Sequence, residues 1–177
     1  VNSEAANGPP AISSEVLTLT DENGVYSETG TAQASMPEVT AAEGYTWYDT
    51  NWYADNAYTT VANATVTADT TFYAYCDEDD NGDNIPDKFQ VTVTYVAENG
   101  TPAIGSELLN LVDENGNYSE TGTAQASMPE VTAAEGYTWY DKNWYTDDTY
   151  STVANATVTA DTTFYAYCDE DDNGDNI

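Results

Sequence analysis

The strongest constraint on this chain is an internal repeat, because the sequence matches itself at an offset of 92 residues, Val1 aligning with Val93. Cys76 recurs as Cys168, and about 15 of 85 aligned pairs differ. Solenoid repeats have periods of about 20 to 50 residues, so a repeat of this length is predicted to be a domain with its own core, joined in series to its neighbour. Stalks, adhesins and filaments lengthen by copying modules, whereas an enzyme seldom copies its whole catalytic domain.

The charge of the chain restricts its partners. Its 177 residues include 32 Asp and Glu, no His, and two basic residues, Lys88 and Lys142, which gives a formal net charge of -30. Nucleic acids and anionic membranes attract proteins through Lys and Arg, so neither is an expected partner. Without His, zinc sites and nucleophile–base pairs of the common kinds are excluded. The sequence predicts a non-enzymatic protein whose natural partners are cations.

Apolar and aromatic residues are nevertheless plentiful. Hydrophobic residues make up 40% of the chain, which contains 15 Tyr, 4 Trp and 3 Phe, enough for two small cores and too many for a disordered acidic tail. No apolar run approaches the roughly 20 residues that cross a bilayer, and no signal peptide begins at Val1. We expect a mature or excised extracellular protein, at the cell surface or secreted.

Alternation of apolar and polar side chains predicts that each module is mainly β. It is clearest in Phe89–Val96, which Asn99-Gly100 should end. The Asn-Gly pair of Asp113–Gly116 favours a tight turn, so its flanking segments should form a hairpin. Thr123–Met128 is rich in Ala and stops before Pro129, so it is expected to hold at most one short helix. Further strands are predicted at Gly136–Tyr140, Asn143–Tyr145, Thr157–Thr159 and Thr162–Cys168.

About two-thirds of each module resembles the Listeria-Bacteroides repeat. The matching residues of the first module are Met36-Pro37, Gly44-Tyr45-Thr46-Trp47, Asn51-Trp52-Tyr53, Val66 and Asp69–Tyr75. That family consists of β-grasp-like modules in tandem on bacterial surface proteins, so the resemblance implies a β-grasp-like topology. Asn51 and Asn143 stand where the family usually has Gly, and the modules here are longer and more acidic.

Residues 77–88 join the modules with an acidic stretch, Asp-Glu-Asp-Asp-Asn-Gly-Asp-Asn-Ile-Pro-Asp-Lys. Calcium takes about six to eight oxygen ligands, which a short loop supplies from alternate positions around a tight turn. The best frame places Asn84 at the sharp turn, where Asn tolerates left-handed geometry. It is similar to the Asp-rich calcium loops of thrombospondin type 3 repeats. The expected Ca²⁺ ligands are the side chains of Asp79, Asn81, Asp83 and Asp87 and a backbone carbonyl near Ile85.

Two alternatives stay open for this stretch. A second frame starts at Asp77 and copies the opening of an EF-hand loop, but Lys88 stands where that loop needs its last acid, so Asp77 is at most an outer ligand or part of a second ion site. The other alternative is a plain solvated linker. The second copy stops at Ile177, through a repeat boundary, and offers four ligands: Asp169, Asp171, Asn173 and Asp175.

These observations predict four segments: module 1 at residues 1–76, a calcium linker at 77–88, module 2 at 89–168 and a truncated second linker at 169–177. Carboxylates of an ion-free linker repel one another, and bound Ca²⁺ should close it and fix the angle between modules. The predicted function is a structural stalk, spacer or filament stiffened by calcium. The alternative is an adhesive module that binds glycan or a host protein through exposed aromatics.

The expected partners are neighbouring repeats of the same protein, and two features allow contacts with other copies. Cys76 and Cys168 should lie about one domain diameter apart, too far for a disulfide, so each is either a buried thiol or part of an intermolecular disulfide. Module 1 has no counterpart of Phe89–Thr92. Its opening strand is therefore missing or comes from a neighbouring chain by strand addition.

Overall fold

The computed structural model describes residues 1–171. The chain divides into two compact units, Val1–Asp87 and a second that starts at Lys88. Among the described residues there are strands and one 3₁₀ helix, Asp87–Phe89, but no α-helix. None of their helical segments is long and apolar enough to span a membrane. The prediction of a mainly β protein is confirmed.

The first unit is built from short strands. They are β1 (Asn2–Ala6), β2 (Ala32–Gln33), β3 (Tyr45–Thr46), β4 (Thr65–Val66), β5 (Thr71–Tyr75) and β6 (Asp77–Glu78). β1 and β5 pair in parallel with Ser3 opposite Phe72, while β2 pairs with β4 and β3 with β6 in antiparallel fashion. Parallel pairing needs a long crossover. Here the segment that connects β1 to β5 makes up most of the unit.

The second unit repeats this plan with longer strands. They are β7 (Gln90–Glu98), β8 (Gly100–Pro102), β9 (Ser106–Asn110), β10 (Ala124–Gln125), β11 (Val131–Ala133), β12 (Tyr137–Thr138), β13 (Thr157–Val158), β14 (Thr162–Tyr167) and β15 (Asp169–Glu170). β7 lies between β14, parallel to it, and β9, antiparallel to it. The alternation that predicted this strand directs Val91, Val93 and Tyr95 into the core.

Each unit has a separate hydrophobic core, as expected of a module that folds by itself. The first is centred on Trp52, Phe72 and Ala74. The second has the corresponding residues and six further buried side chains: Val91, Val93, Tyr95, Leu111, Ala124 and Trp139. Both cysteines are buried and form no disulfide with each other, and pairing between chains stays a prediction.

The candidate helical segment, Thr123–Met128, contains no helix. Ala124–Gln125 is strand β10 and pairs with β13, and Ala124 and Ala126 are buried in the core. Burial of every second side chain requires the two-residue period of a β-strand. Tertiary packing therefore overrides the helix propensity of alanine here. The turn at Asp113–Gly116 is confirmed: Gly116 has a φ of 83° and its N–H bonds the carbonyl of Asp113 at 3.0 Å. The strand end at Asn99-Gly100 is confirmed too, with Asn99 at a φ of 54°.

Candidate functional site

The acidic stretch begins as part of the first unit. Asp77 and Glu78 form β6, in which Asp77 lies opposite Thr46 of β3. The next residue, Asp79, donates its backbone N–H to the carbonyl of Gly44 at 2.9 Å. Asp77 is therefore a strand residue outside the turn that follows, and the candidate loop consists of residues 79–87.

The loop closes around the carboxylate of Asp79. This side chain is 4% exposed, and its Oδ1 accepts the backbone N–H groups of Gly82 at 2.8 Å and Asp83 at 3.1 Å. Its Oδ2 accepts the N–H of Asn84 at 2.9 Å. A buried carboxylate is costly unless it is hydrogen-bonded, and three backbone donors satisfy that need. Asp79 thereby determines the path of the chain through the turn.

The backbone of the turn has the geometry expected from the sequence. Asn84 adopts a φ of 66°, so its predicted left-handed conformation is confirmed. Asn81 Oδ1 accepts the N–H of Asp83, and Asp83 Oδ1 accepts the N–H of Ile85, both at 2.8 Å. Side chains that cap the backbone two residues on are typical of Asn and Asp in tight turns.

The far end of the loop returns to its start. Asp87 Oδ2 accepts the N–H of Asp80 at 3.1 Å, and Pro86 is among the most fully buried residues of the chain. The Ile-Pro pair thus holds the exit of the loop in place. All five residues expected to ligate Ca²⁺ are brought into one turn, and their types, carboxylate, amide and carbonyl oxygen, are those that calcium prefers.

In the arrangement observed, these oxygens bond the backbone. Among residues 1–171 no three His, Cys, Asp or Glu side chains form a group placed to hold a metal ion. A calcium ion in this loop would keep the turn and require the outer carboxylates, Asp83 and Asp87, to rotate toward a common centre. Asp83 is exposed and Asp87 is half-buried.

Protein-family models, curated proteins and solved structures give no match to this chain. The Listeria-Bacteroides resemblance stays a prediction.

The second copy of the loop is described only at its start. Asp169 lies in β15, opposite Thr138 of β12. Asp171 donates its backbone N–H to the carbonyl of Gly136 at 2.8 Å, as Asp79 does to Gly44 in the first unit. The predicted ligands Asn173 and Asp175 lie outside the described residues.

Sequence reasoning missed a cleft in the second unit. It has a volume of about 460 Å³ and is lined in part by Glu130, Tyr137, Trp139, Tyr140 and Lys142. The indole Nε1 of Trp139 is buried and has no hydrogen-bond partner within the described part of the chain, while the Tyr140 side chain is exposed. The alternating Tyr-Thr-Trp-Tyr run was the available signal, because period two places Tyr137 and Trp139 on one face.

Proposed function

We propose that this chain is a structural, non-enzymatic segment of an extracellular tandem-repeat protein, in which the loop of residues 79–87 binds Ca²⁺. One observation carries the proposal: the loop closes around the buried Asp79 carboxylate, with oxygen-bearing side chains at alternate positions and Asn84 in the left-handed region. A calcium loop has these features, whereas a solvated acidic linker needs none of them.

Calcium would act on the end of the first unit. β6 and the buried Pro86 hold the two ends of the loop, and an ion bound by Asp79, Asn81, Asp83, Asp87 and the Ile85 carbonyl would cross-link the residues between them. The net charge of -30 opposes compaction, and a divalent cation reduces it locally. The calcium-bound chain would be the stiffer one, suited to a stalk, spacer or filament. The parallel pairing of β1 with β5 and of β7 with β14 supports the finer proposal of a β-grasp-like module.

Calorimetric titration tests the calcium site. After a chelator has removed bound metal, we expect the chain to bind Ca²⁺ in preference to Mg²⁺. Asp83→Ala should weaken Ca²⁺ binding at least about tenfold, since it removes one charged ligand. Asp80→Ala is the matched control, because it removes the same charge from the same loop at a position outside the ligand frame. Equal losses for both variants, or no heat of binding, would show that the loop is a plain linker.

Small-angle scattering tests the stiffening separately. The maximum dimension of the chain should differ between calcium and excess chelator, and the difference should vanish in Asp83→Ala. If the chain binds calcium but its maximum dimension does not change, the calcium site is retained and the stalk mechanism is refuted.

A second candidate function rests on the cleft beside Trp139. A buried indole N–H without a partner costs free energy unless a ligand or water bonds it, and aromatic side chains with polar neighbours form sugar-binding surfaces. We propose glycan adhesion as the alternative function. A glycan array decides between the two, since a spacer should bind nothing and an adhesive module should lose binding in Tyr140→Ala.

A further inference from the structure

Four asparagines begin an Asn-x-Ser/Thr triplet, the acceptor sequence for N-linked glycans. They are Asn63, Asn99, Asn117 and Asn155. A transferase that acts on a folded chain must reach the asparagine Nδ2 while that nitrogen donates no hydrogen bond. It must also reach the Ser or Thr hydroxyl of the same triplet. The four triplets differ in how far their structure meets these requirements.

Asn63 and Asn155 occupy the same place in the two units. Asn63 lies two residues before the start of β4, and Asn155 lies two residues before the start of β13. Both side chains are exposed. The residues directly before them, Ala62 and Ala154, pack against the two cores. Each asparagine therefore projects away from the core of its own unit.

A hydrogen bond orients the side-chain amide of each of these two asparagines. Asn63 Oδ1 accepts the backbone N–H of Thr65 at 2.9 Å, and Asn155 Oδ1 accepts that of Thr157 at 3.0 Å. Such a bond closes an Asx-turn. Because the amide group is planar and its Oδ1 is turned toward the backbone, its Nδ2 lies on the outer side. Among residues 1–171 neither Nδ2 donates a hydrogen bond.

The threonine of each of these triplets is exposed and held in place. Thr65 Oγ1 accepts a hydrogen bond from Gln33 Nε2 at 2.7 Å, and Thr157 Oγ1 accepts one from Gln125 Nε2 at 2.9 Å. A hydroxyl that accepts a bond still has its own hydrogen to donate. The amide and the hydroxyl are thus ordered before a transferase binds, which lowers the entropy that binding costs.

The triplet at Asn117 is exposed, but a carboxylate occupies its amide nitrogen. Asn117 Nδ2 donates to Asp113 Oδ2 at 3.3 Å, and the backbone N–H of Asn117 donates to Asp113 Oδ1 at 2.9 Å. Hydrogen bonds to a charged acceptor are stronger than those between neutral groups. The Asn117 amide must therefore leave Asp113 before its nitrogen can react.

The triplet at Asn99 has a different backbone. Asn99 itself has a φ of 54°, and the next two residues belong to β8, where Gly100 lies opposite Ala133 and Thr101 opposite Thr132. Within the described residues no hydrogen bond joins the Asn99 side chain to Thr101, so this triplet forms no Asx-turn. Its asparagine and threonine are not brought together as they are at Asn63 and Asn155.

We propose that Asn63 and Asn155 are the N-glycosylation sites of the folded protein. The co-substrate is a lipid-linked oligosaccharide diphosphate. Asparagine Nδ2 forms a bond to C1 of the first sugar, the bond from C1 to the diphosphate oxygen breaks, and the lipid diphosphate leaves with the electron pair. The amide gives up one proton to a base of the transferase. The two sites are 92 residues apart, as the repeats are, so each repeat would carry one glycan at the same place.

This inference rests on the proposed extracellular location, because an exported chain is the one that meets such a transferase. It does not depend on calcium binding. The acceptor geometry can be tested on the purified chain wherever the protein is located, so failure of this test would leave the proposed calcium site in place.

The test uses the folded full chain, a single-subunit oligosaccharyltransferase with Asn-x-Ser/Thr specificity and its lipid-linked oligosaccharide. Four short peptides, each with one triplet, serve as unfolded controls, and mass spectrometry measures the modification rate at each asparagine. Dividing each rate in the folded chain by that of its own peptide removes the preference of the enzyme for particular sequences. We expect this ratio to be at least about tenfold higher at Asn63 and Asn155 than at Asn99 and Asn117. Equal ratios at all four sites would overturn the proposal, as would a folded chain that is not modified while the peptides react.

A variant tests why Asn117 is excluded. Asp113→Ala removes the carboxylate that holds Asn117 Nδ2, so the modification rate at Asn117 should rise. The rate at Asn155 should not change, and it serves as the reference for correct folding of the same unit. If the rate at Asn117 does not rise while that at Asn155 is unchanged, the carboxylate does not block the site and this part of the proposal is overturned.

Discussion

Trp144 donates its indole N–H to the backbone carbonyl of Pro129 at 2.9 Å, in a buried position. Trp52 and Pro37 form the same bond at 2.9 Å in the first unit. The next tryptophan in each core, Trp139 or Trp47, packs edge to face against it but has no hydrogen-bond partner among the described residues. Two adjacent indoles thus differ in one polar contact.

The first prediction uses this difference. Trp144→Phe should destabilise the second unit by about 2–4 kcal/mol, because it loses buried surface and leaves the Pro129 carbonyl unsatisfied. Trp139→Phe removes a similar area but relieves an unsatisfied donor, so its cost should be clearly smaller. Urea unfolding of both variants measures the two costs. Equal losses would mean that the bond to Pro129 contributes nothing.

The second prediction concerns the relative stability of the units. Tyr95 packs against Trp144 and Phe164, with ring centroids 4.9 and 6.0 Å away, whereas the first unit has Ser3 at this position. The smaller side chain at this position should make the first unit the less stable. Tyr95→Ser should lower the stability of the second unit by about 3–5 kcal/mol. Hydrogen exchange resolves the units, and a first unit that opens no more readily than the second would contradict this reading.

The third prediction is a loss of stability at alkaline pH. Burial, with Asp49 accepting the phenol hydrogen, raises the pKa of Tyr53 from 10.0 to about 12, and burial with Glu98 as acceptor does the same for Tyr150. A raised folded-state pKa favours the protonated form, so this stabilisation is complete below pH 10 and is lost as pH rises to about 12. Thermal melts should show the decline, and Tyr53→Phe should reduce it in the first unit. If Tyr53→Phe loses as much stability at alkaline pH as the unchanged protein does, the loss has a cause other than Tyr53.

The fourth prediction is that the thiols are inert in the folded protein. Burial and the nearby charge of Asp77 raise the pKa of Cys76, and burial and Asp169 raise that of Cys168. A raised pKa leaves less of each cysteine as thiolate, and burial keeps reagents away from the sulfur. Alkylation should therefore be slow. We expect both thiols to react only on unfolding in urea, and non-reducing electrophoresis to show a monomer. Rapid labelling of the native chain, or a disulfide-linked dimer, would favour the intermolecular pairing.

The fifth prediction tests a close backbone approach. A Cβ on Gly122 would lie 2.6 Å from the backbone carbonyl of Val112, and one on Gly105 would meet nothing within 4 Å. Gly122→Ala should therefore separate the bridge between Val112 and Thr123 and cost more than about 2 kcal/mol, whereas Gly105→Ala should be nearly neutral. Chemical denaturation measures both. A neutral Gly122→Ala would show that the turn relaxes freely.

Local rules within the sequence determined much of this protein. Period-two alternation identified β7, the Asn-Gly turn followed from its φ preference, and Asn84 was placed in the left-handed region because few other residues tolerate it. The candidate calcium ligands were also identified from their spacing in the sequence. The loop around Asp79 brings them into one turn. Each of these features depends on residues fewer than about ten positions apart, so it can be predicted from a short stretch of sequence.

Only the tertiary structure decided the features that depend on distant contacts. The parallel pairing of β7 with β14 joins Val93 to Thr162, and no local signal specifies it. The Ala-rich segment became a strand because burial of Ala124 and Ala126 outweighs helix propensity. Burial is a property of the folded surface as a whole, so contacts between residues far apart in the sequence decide it.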